Sequence, residues 1–203
     1  MAPLNAHLLM DLFPARRQER LKRALKNART IVLLLSSAAF CIPVPVCIAQ
    51  EPALEYQVKA AYLLNFTKFV QWPASAFSDQ RSPLAICILG EDRFGTSLDE
   101  ILKGEVVNGH ELVVQRIRRA PEARSCQVVY VGAPEREAPK ILDDLRPGIL
   151  TVGEGEKFLE DGGIIAFVIE NRRVRFDIDQ RAAARSMLTL SSRLMSVARS
   201  VKN

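Results

Sequence analysis

The residue types that carry chemistry are sparse in this chain and stand apart from one another. Of 203 residues four are cysteine and two are histidine. His110, the one histidine beyond residue 49, follows Asn108-Gly109 with no Cys, Ser or carboxylate constellation beside it, and reads as a solvated loop residue. Gly153-Glu-Gly-Glu-Lys157 has the look of a phosphate-cradling loop, but its two glutamates would repel a phosphate and no nucleotide-binding spacing is completed. Gly90-Glu-Asp-Arg-Phe-Gly-Thr96 leads from a strand towards a helix, where backbone N–H groups could hold an anion; its adjacent acids favour a turn and a helix start instead. Asp177 and Asp179 alternate at a strand end, and without a third ligand a cap or an ion pair fits better than a metal. The residues make no positive case for catalysis, a metal or a cofactor.

What they do offer is material for contact. Asn65, Phe66, Lys68, Phe69 and Trp72 fall within eight positions, Arg172, Arg173 and Arg175 cluster further on, and Ser191, Ser192 and Arg193 follow near the end. Aromatic and arginine residues anchor protein interfaces. The competing reading places Phe66 and Phe69 in the core and the arginines on a solvated face.

The front of the chain changes how the rest is read. A basic stretch from Arg16 to Arg29 runs into the apolar Ile31 to Phe40, then into Cys47-Ile48-Ala49 before Gln50. Charged region, apolar region and small-residue site are the parts of an export signal, with cleavage after Ala49; Met10 could serve as a shorter start. An uncleaved anchor over Ile31 to Ala49 is the alternative, weakened by Pro43 and Pro45, and it too would leave the domain outside the cytoplasm. Arg16-Arg17 is a poor twin-arginine signal, and Phe40 before Cys41 is a poor lipoprotein site.

Residues 1 to 49 carry 7 of the 28 Lys+Arg and 2 of the 23 Asp+Glu, which leaves 21 of each sign from Gln50 onward. The exported part is therefore neutral, lacks the basic field that nucleic-acid binding needs, and reads as one domain, residues 50 to 203. Cys41 and Cys47 depart with the leader, leaving Cys87 and Cys126. In an oxidising compartment such a pair points to a disulfide more than to a metal site or a nucleophile; the alternative is two buried thiols that never meet.

The elements follow from periodicity. From Glu55, Val58, Ala61, Tyr62, Phe66, Phe69 and Val70 recur at helical spacing up to Trp72-Pro73, with Lys59, Asn65 and Lys68 interrupting or flanking the stripe. Leu84 to Gly90, Cys126 to Gly132 and Ile149 to Val152 are short apolar runs ending in glycine, with helices predicted over 94–103 and 137–145. Val106 to Ile117 carries a turn at Asn108-Gly109 with a strand in its second half. Repeated strand, glycine and helix predict a mostly parallel sheet. Gly163 to Ile169 and Val174 to Ile178, joined by Glu170 to Arg173, predict an antiparallel hairpin. A last helix over 180–201 is expected to bury Ala183, Met187, Leu190, Leu194 and Ala198. The fold class is thus α/β, a single domain with a mostly parallel central sheet, a C-terminal hairpin and flanking helices.

Taken in order, Tyr56-Gln-Val-Lys-Ala-Ala-Tyr-Leu-Leu-Asn-Phe-Thr-Lys-Phe-Val-Gln-Trp-Pro73, Ile86-Cys-Ile-Leu-Gly90, Cys126-Gln-Val-Val-Tyr-Val131, Leu150-Thr-Val-Gly153, Gly162-Gly-Ile-Ile165, Arg173-Val-Arg-Phe-Asp-Ile178 and Leu190-Ser-Ser-Arg-Leu194 resemble the YfiR-like family of exported bacterial proteins. The resemblance implies an α/β domain, often dimeric, without a catalytic role. It further implies a periplasmic repressor that restrains an inner-membrane diguanylate cyclase through the cyclase's periplasmic sensor domain. An outer-membrane lipoprotein, or reducing stress, relieves that restraint. Cys87 and Cys126 match the family's disulfide pair, whereas a second pair between Leu150 and Val168 is missing here. Asp179 replaces a common Asn, and Met187 a common Gly. Partner contact would fall to Asn65, Lys68, Trp72, Arg173, Arg175, Ser191, Ser192 and Arg193. A second reading is a small-molecule sensor, with Arg173 and Arg175 holding an anion in a pocket between the hairpin and the last helix.

Overall fold

Helix α1 (Glu51–Phe69) opens a computed structural model that describes residues 51–132 and 134–203. The leader, its cleavage after Ala49, and Cys41 and Cys47 lie outside the described residues. The buried face of α1 differs from the stripe expected: Tyr56, Lys59, Ala60, Leu63, Phe66 and Thr67 are buried, while Val58 and Ala61 are exposed. The face still repeats at three and four residues, but it admits a lysine and a threonine because each finds a partner. Thr67 Oγ1 donates to the Leu64 carbonyl at 2.6 Å.

After a two-residue strand β1 (Val70–Gln71), the chain alternates β2 (Leu84–Gly90), α2 (Ser97–Leu102), β3 (Val106–Val107), β4 (His110–Ile117), β5 (Val128–Gly132), α3 (Ala138–Asp144), β6 (Leu150–Glu154), α4 (Glu156–Glu160), β7 (Ile165–Glu170) and β8 (Arg173–Asp179). It closes with α5 (Gln180–Arg185), β9 (Thr189–Leu190), α6 (Ser192–Val197) and β10 (Ser200–Lys202). One sheet runs in the order β10-β8-β7-β6-β5-β2-β4-β3. Its β2–β4, β2–β5, β5–β6, β6–β7 and β10–β8 pairs are parallel; β7–β8 and β3–β4 are antiparallel. The mostly parallel α/β sheet with its hairpin is as the sequence predicts.

Each central strand feeds two cores because successive side chains point to opposite faces. Ile86, Ile88 and Tyr130 meet α1 and α2 on one face, together with Phe66, Phe167 and Phe176. Ala85, Cys87, Leu89, Val129 and Val131 meet α3, α4 and the 3-10 segment Ala120–Ser125 on the other. Both hairpin turns require left-handed residues, and Asn108-Gly109 (φ 52° and 86°) and Asn171-Arg172 (φ 50° and 59°) supply them. On the second face, a Cβ built at Gly153 would lie 2.5 Å from Phe158, and one at Gly163 2.2 Å, so those glycines form the notch that seats this ring.

The C-terminal segment departs from the single helix expected over 180–201. Helix α5 ends at Ser186, where Met187 takes φ 57° and Leu188 N and Met187 N bond back to the Ala183 and Ala184 carbonyls. This is a Schellman ending with methionine in the position glycine normally fills. The chain then lays Thr189 and Leu190 against Gln71 and Val70 and restarts as α6, and β10 covers the free edge of β8. Ala183, Leu190 and Leu194 are buried as expected, while Met187 is 55% exposed and Leu188 takes its place inside. Pairing the exposed edge of β8 satisfies a row of backbone groups that a continuous helix would have left open.

Candidate functional site

The contact residues named from sequence divide into two groups. Asn65 and Lys68 are exposed on α1, and Lys68 pairs with Glu105 at 3.2 Å. Trp72 is half-buried and donates its indole N–H to the Gln127 carbonyl at 3.1 Å. Ser191 N bonds the Phe69 carbonyl and Ser191 Oγ caps α6 through Leu194 N, which sets Ser192 and Arg193, both exposed, beside the end of α1. The end of α1 and the start of α6 are therefore adjacent, with Asn65, Lys68, Ser192 and Arg193 exposed. Arg173 and Arg175 alternate along β8 with Val174 and Phe176, which pack beneath α1, so their side chains leave on the opposite face.

Neighbouring positions have defined tasks. Asp177 binds Arg199, which also reaches Glu156 at 2.6 Å, and Asp179 caps α5 by accepting from Ala182 N at 2.7 Å. These are the ion-pair and cap roles preferred on sequence grounds. His110 is not a solvated loop residue: it begins β4, stacks on Phe77 at 4.0 Å between centroids, and its Nδ1 lies 2.6 Å from the Ser82 carbonyl oxygen. Asp92 Oδ1 accepts from Phe94 N and Gly95 N, making the turn expected before α2.

Cys87 and Cys126 form a disulfide, with Cα atoms 5.9 Å apart and both residues fully buried. It fastens the segment Ala120–Ser125 to the middle of β2 from beneath the second core.

A concentration of polar groups that the sequence did not single out lies at the carboxyl ends of the strands. Glu154, the last residue of β6, receives three donors on Oε1: Tyr56 Oη at 2.7 Å, Lys59 Nζ at 2.7 Å, and Tyr130 Oη. Lys59, 1% exposed, also meets Glu55 at 2.5 Å and lies 4.3 Å from the Tyr56 ring centroid. Burial pushes the Glu154 carboxyl up, but bonds from Lys59, Tyr130 and Tyr56 outweigh it and hold the group below its ordinary range, ionised. Burial likewise opposes the charge on Lys59, and its bonds to Glu154 and Glu55 outweigh that and raise it. Both phenols are pushed up, by burial first and Glu154 second, so they remain donors.

Above this cluster opens a cavity of about 580 Å³ lined by Tyr56, Glu91, Arg93, Tyr130, Gly132, Pro134, Ala138, Glu154, Phe158 and Asp161 among others. A second, of about 360 Å³, lies between Trp72, Phe77 and His110. Neither Arg173 nor Arg175 lines either one. Sequence reasoning passed over Tyr56, Lys59, Tyr130 and Glu154 because they come from three elements as much as 98 positions apart. The usable signal was Lys59, a charge inside an apolar helical stripe. Among the described residues no group of three or more His, Cys, Asp or Glu is placed to hold a metal, and no helix is long and apolar enough to cross a membrane.

Sheet, hairpin and buried disulfide define a stapled α/β domain. The family model described as YfiR/HmsC-like matches residues 56–199, and the chain belongs to that family. YfiR-like proteins are periplasmic and act in regulation. No curated protein matches the sequence. Among solved structures, a conserved domain protein from Vibrio cholerae O1 biovar El Tor is similar at 12% identity and TM-score 0.45, over 72% of this chain and 60% of that one. An ABC domain in complex with L-Trp from Streptococcus pneumonia is similar at 10% identity and TM-score 0.43, over 72% and 60%. The chain thus spans about three fifths of each.

Proposed function

We propose that residues 1–49 are an export signal cleaved after Ala49, and that residues 50–203 act in the periplasm as a non-enzymatic repressor. In this reading the domain, as a homodimer, binds the periplasmic sensor domain of an inner-membrane signalling protein such as a diguanylate cyclase. That contact holds cyclic-di-GMP output, and with it biofilm formation, in check. An outer-membrane lipoprotein sequesters the repressor and so releases the cyclase. The observation that carries this reading is the family match over residues 56–199, supported by a neutral exported region with no nucleic-acid field.

The α1/α6 side is the better candidate for the contact surface. It gathers Asn65, Lys68, Ser192 and Arg193 on backbone that is fixed by the β1–β9 pair and the Trp72–Gln127 bond. A sensor domain presenting acidic groups would complement Lys68 and Arg193. The test is binding of the purified protein to the isolated periplasmic domain of a cyclase encoded beside it, measured by biolayer interferometry. Lys68→Glu and Arg193→Glu are each expected to weaken binding about tenfold or more, and Arg136→Glu to leave it unchanged. Equal affinity for all variants would move the contact elsewhere, and no binding of the native protein would remove the proposal.

A further inference from the structure

We propose that the cavity above Glu154 is a binding site for a small organic cation, a molecule carrying a primary ammonium group on an apolar body. This site is separate from the α1/α6 surface and does not depend on the partner assigned to it.

Its position follows from topology. Strand β2 pairs with β4 on one side and β5 on the other. The connection leaving β2 passes through α2 on the α1 face, and the connection leaving β5 passes through α3 on the disulfide face. Two adjacent parallel strands whose connections diverge leave a crevice beyond their carboxyl ends, and open α/β sheets bind small molecules there. Glu91 follows β2, Gly132 ends β5, and both line the cavity. Their backbones meet at its base, where Glu91 N donates to the Gly132 carbonyl at 3.0 Å, and a Cβ at Gly132 would lie 2.3 Å from Glu91 O.

The chemistry of the occupant follows from which polar atoms are already used. Glu154 Oε1 is saturated by its three donors, and Glu154 remains 38% exposed towards the cavity. Lys59 and the two phenols hold this carboxylate in place, so a ligand meets an oriented acceptor. Asp161, ion-paired with Lys157 through Oδ1 at 2.6 Å, adds a second carboxylate to the lining, its Oδ2 enclosed. The lining cation Arg93 is engaged with Glu91 at 3.0 Å and with Tyr56 Oη at 3.5 Å. An anionic ligand would meet the Glu91, Asp161 and Glu154 carboxylates on the wall, whereas an ammonium would donate to Glu154 Oε2, the oxygen outside the three bonds. Phe158, Pro134 and Ala138 give an apolar wall for the remainder of the molecule.

The test uses the full-length chain, exported and purified, with isothermal titration of 2-phenylethylamine, agmatine and putrescine against 3-phenylpropionate. At least one amine is expected to bind and the carboxylate is not. Glu154→Gln, which keeps shape and removes charge, should weaken the amine about tenfold or more. Arg93→Ala, at an exposed position, should tighten it several-fold by removing a competing cation. The second variant keeps the proposal testable if the first folds poorly. No amine binding at millimolar concentration, preferential binding of 3-phenylpropionate, or amine affinity unmoved by both substitutions would each overturn it.

Discussion

Lys59 is fully enclosed yet charged, and the protein tolerates it only because Glu55 and Glu154 both accept hydrogen bonds from its ammonium group. Removing one partner of such a pair leaves the other charge without compensation. Lys59→Met is therefore expected to destabilise by about 2 kcal/mol, below the cost of a wholly buried pair because Glu154 can regain water. Urea unfolding measures it. The pH dependence has a definite sign. Glu154 is depressed in the folded state, so its contribution is present above its ordinary value of 4.5 and fades as pH falls through the lower folded value. Lys59 is raised, so its contribution is present below 10.5 and fades only above that. The pair stabilises across the range between, and Lys59→Met, which removes the bond that does most to depress Glu154, should lose less stability than the native chain as pH falls below 4.5. Met187 invites the opposite change. It sits in the left-handed region with its side chain largely in solvent, so Met187→Gly should stabilise by roughly 0.5–1 kcal/mol, read as a higher melting temperature.

At the scale of elements, the central strands and both hairpin turns were legible because each is specified locally: an apolar run closed by glycine, the turn pair Asn108-Gly109, or, between Ile169 and Val174, a joint too short for a crossover helix. The C-terminal segment was not. Its apolar spacing fits one helix, and Ala183, Leu190 and Leu194 are buried where that helix would bury them, yet the open edge of β8 and the two residues of β1 recruit backbone that periodicity assigns to a helix. The Glu154 cluster was hidden for a related reason, since only the sheet order brings Tyr56, Tyr130 and Glu154 together. The disulfide is an element-scale device too. It closes a 39-residue separation, which in a chain-entropy account stabilises by about 4 kcal/mol. Both sulfurs are enclosed, so a reductant reaches them only when the segment Ala120–Ser125 lifts from β2. Incubation of the native protein with dithiothreitol and a maleimide tag is expected to label neither Cys87 nor Cys126 until denaturant is added. Rapid labelling under native conditions would instead mark the bridge as open to direct redox control.

The whole molecule carries its functional information in placement more than in reactive groups. Beyond Gln50 the charges balance, the cysteines are joined, and the exposed residues near α1 and α6 form a candidate contact surface remote from the Arg173 and Arg175 face. Two inputs could then reach one domain: a protein partner at the α1/α6 side and a small cation at the strand ends, connected physically by α1, which supplies Lys68 to one and Tyr56 and Lys59 to the other. The most direct measurement is intracellular cyclic-di-GMP in a strain deleted for this chain and complemented with either the full-length protein or a version starting at Gln50. Deletion is expected to raise the nucleotide, the full-length chain to restore the low level, and the version without its first 49 residues to fail. A level that does not change on deletion, or that is restored equally by the form confined to the cytoplasm, would contradict periplasmic restraint of a cyclase.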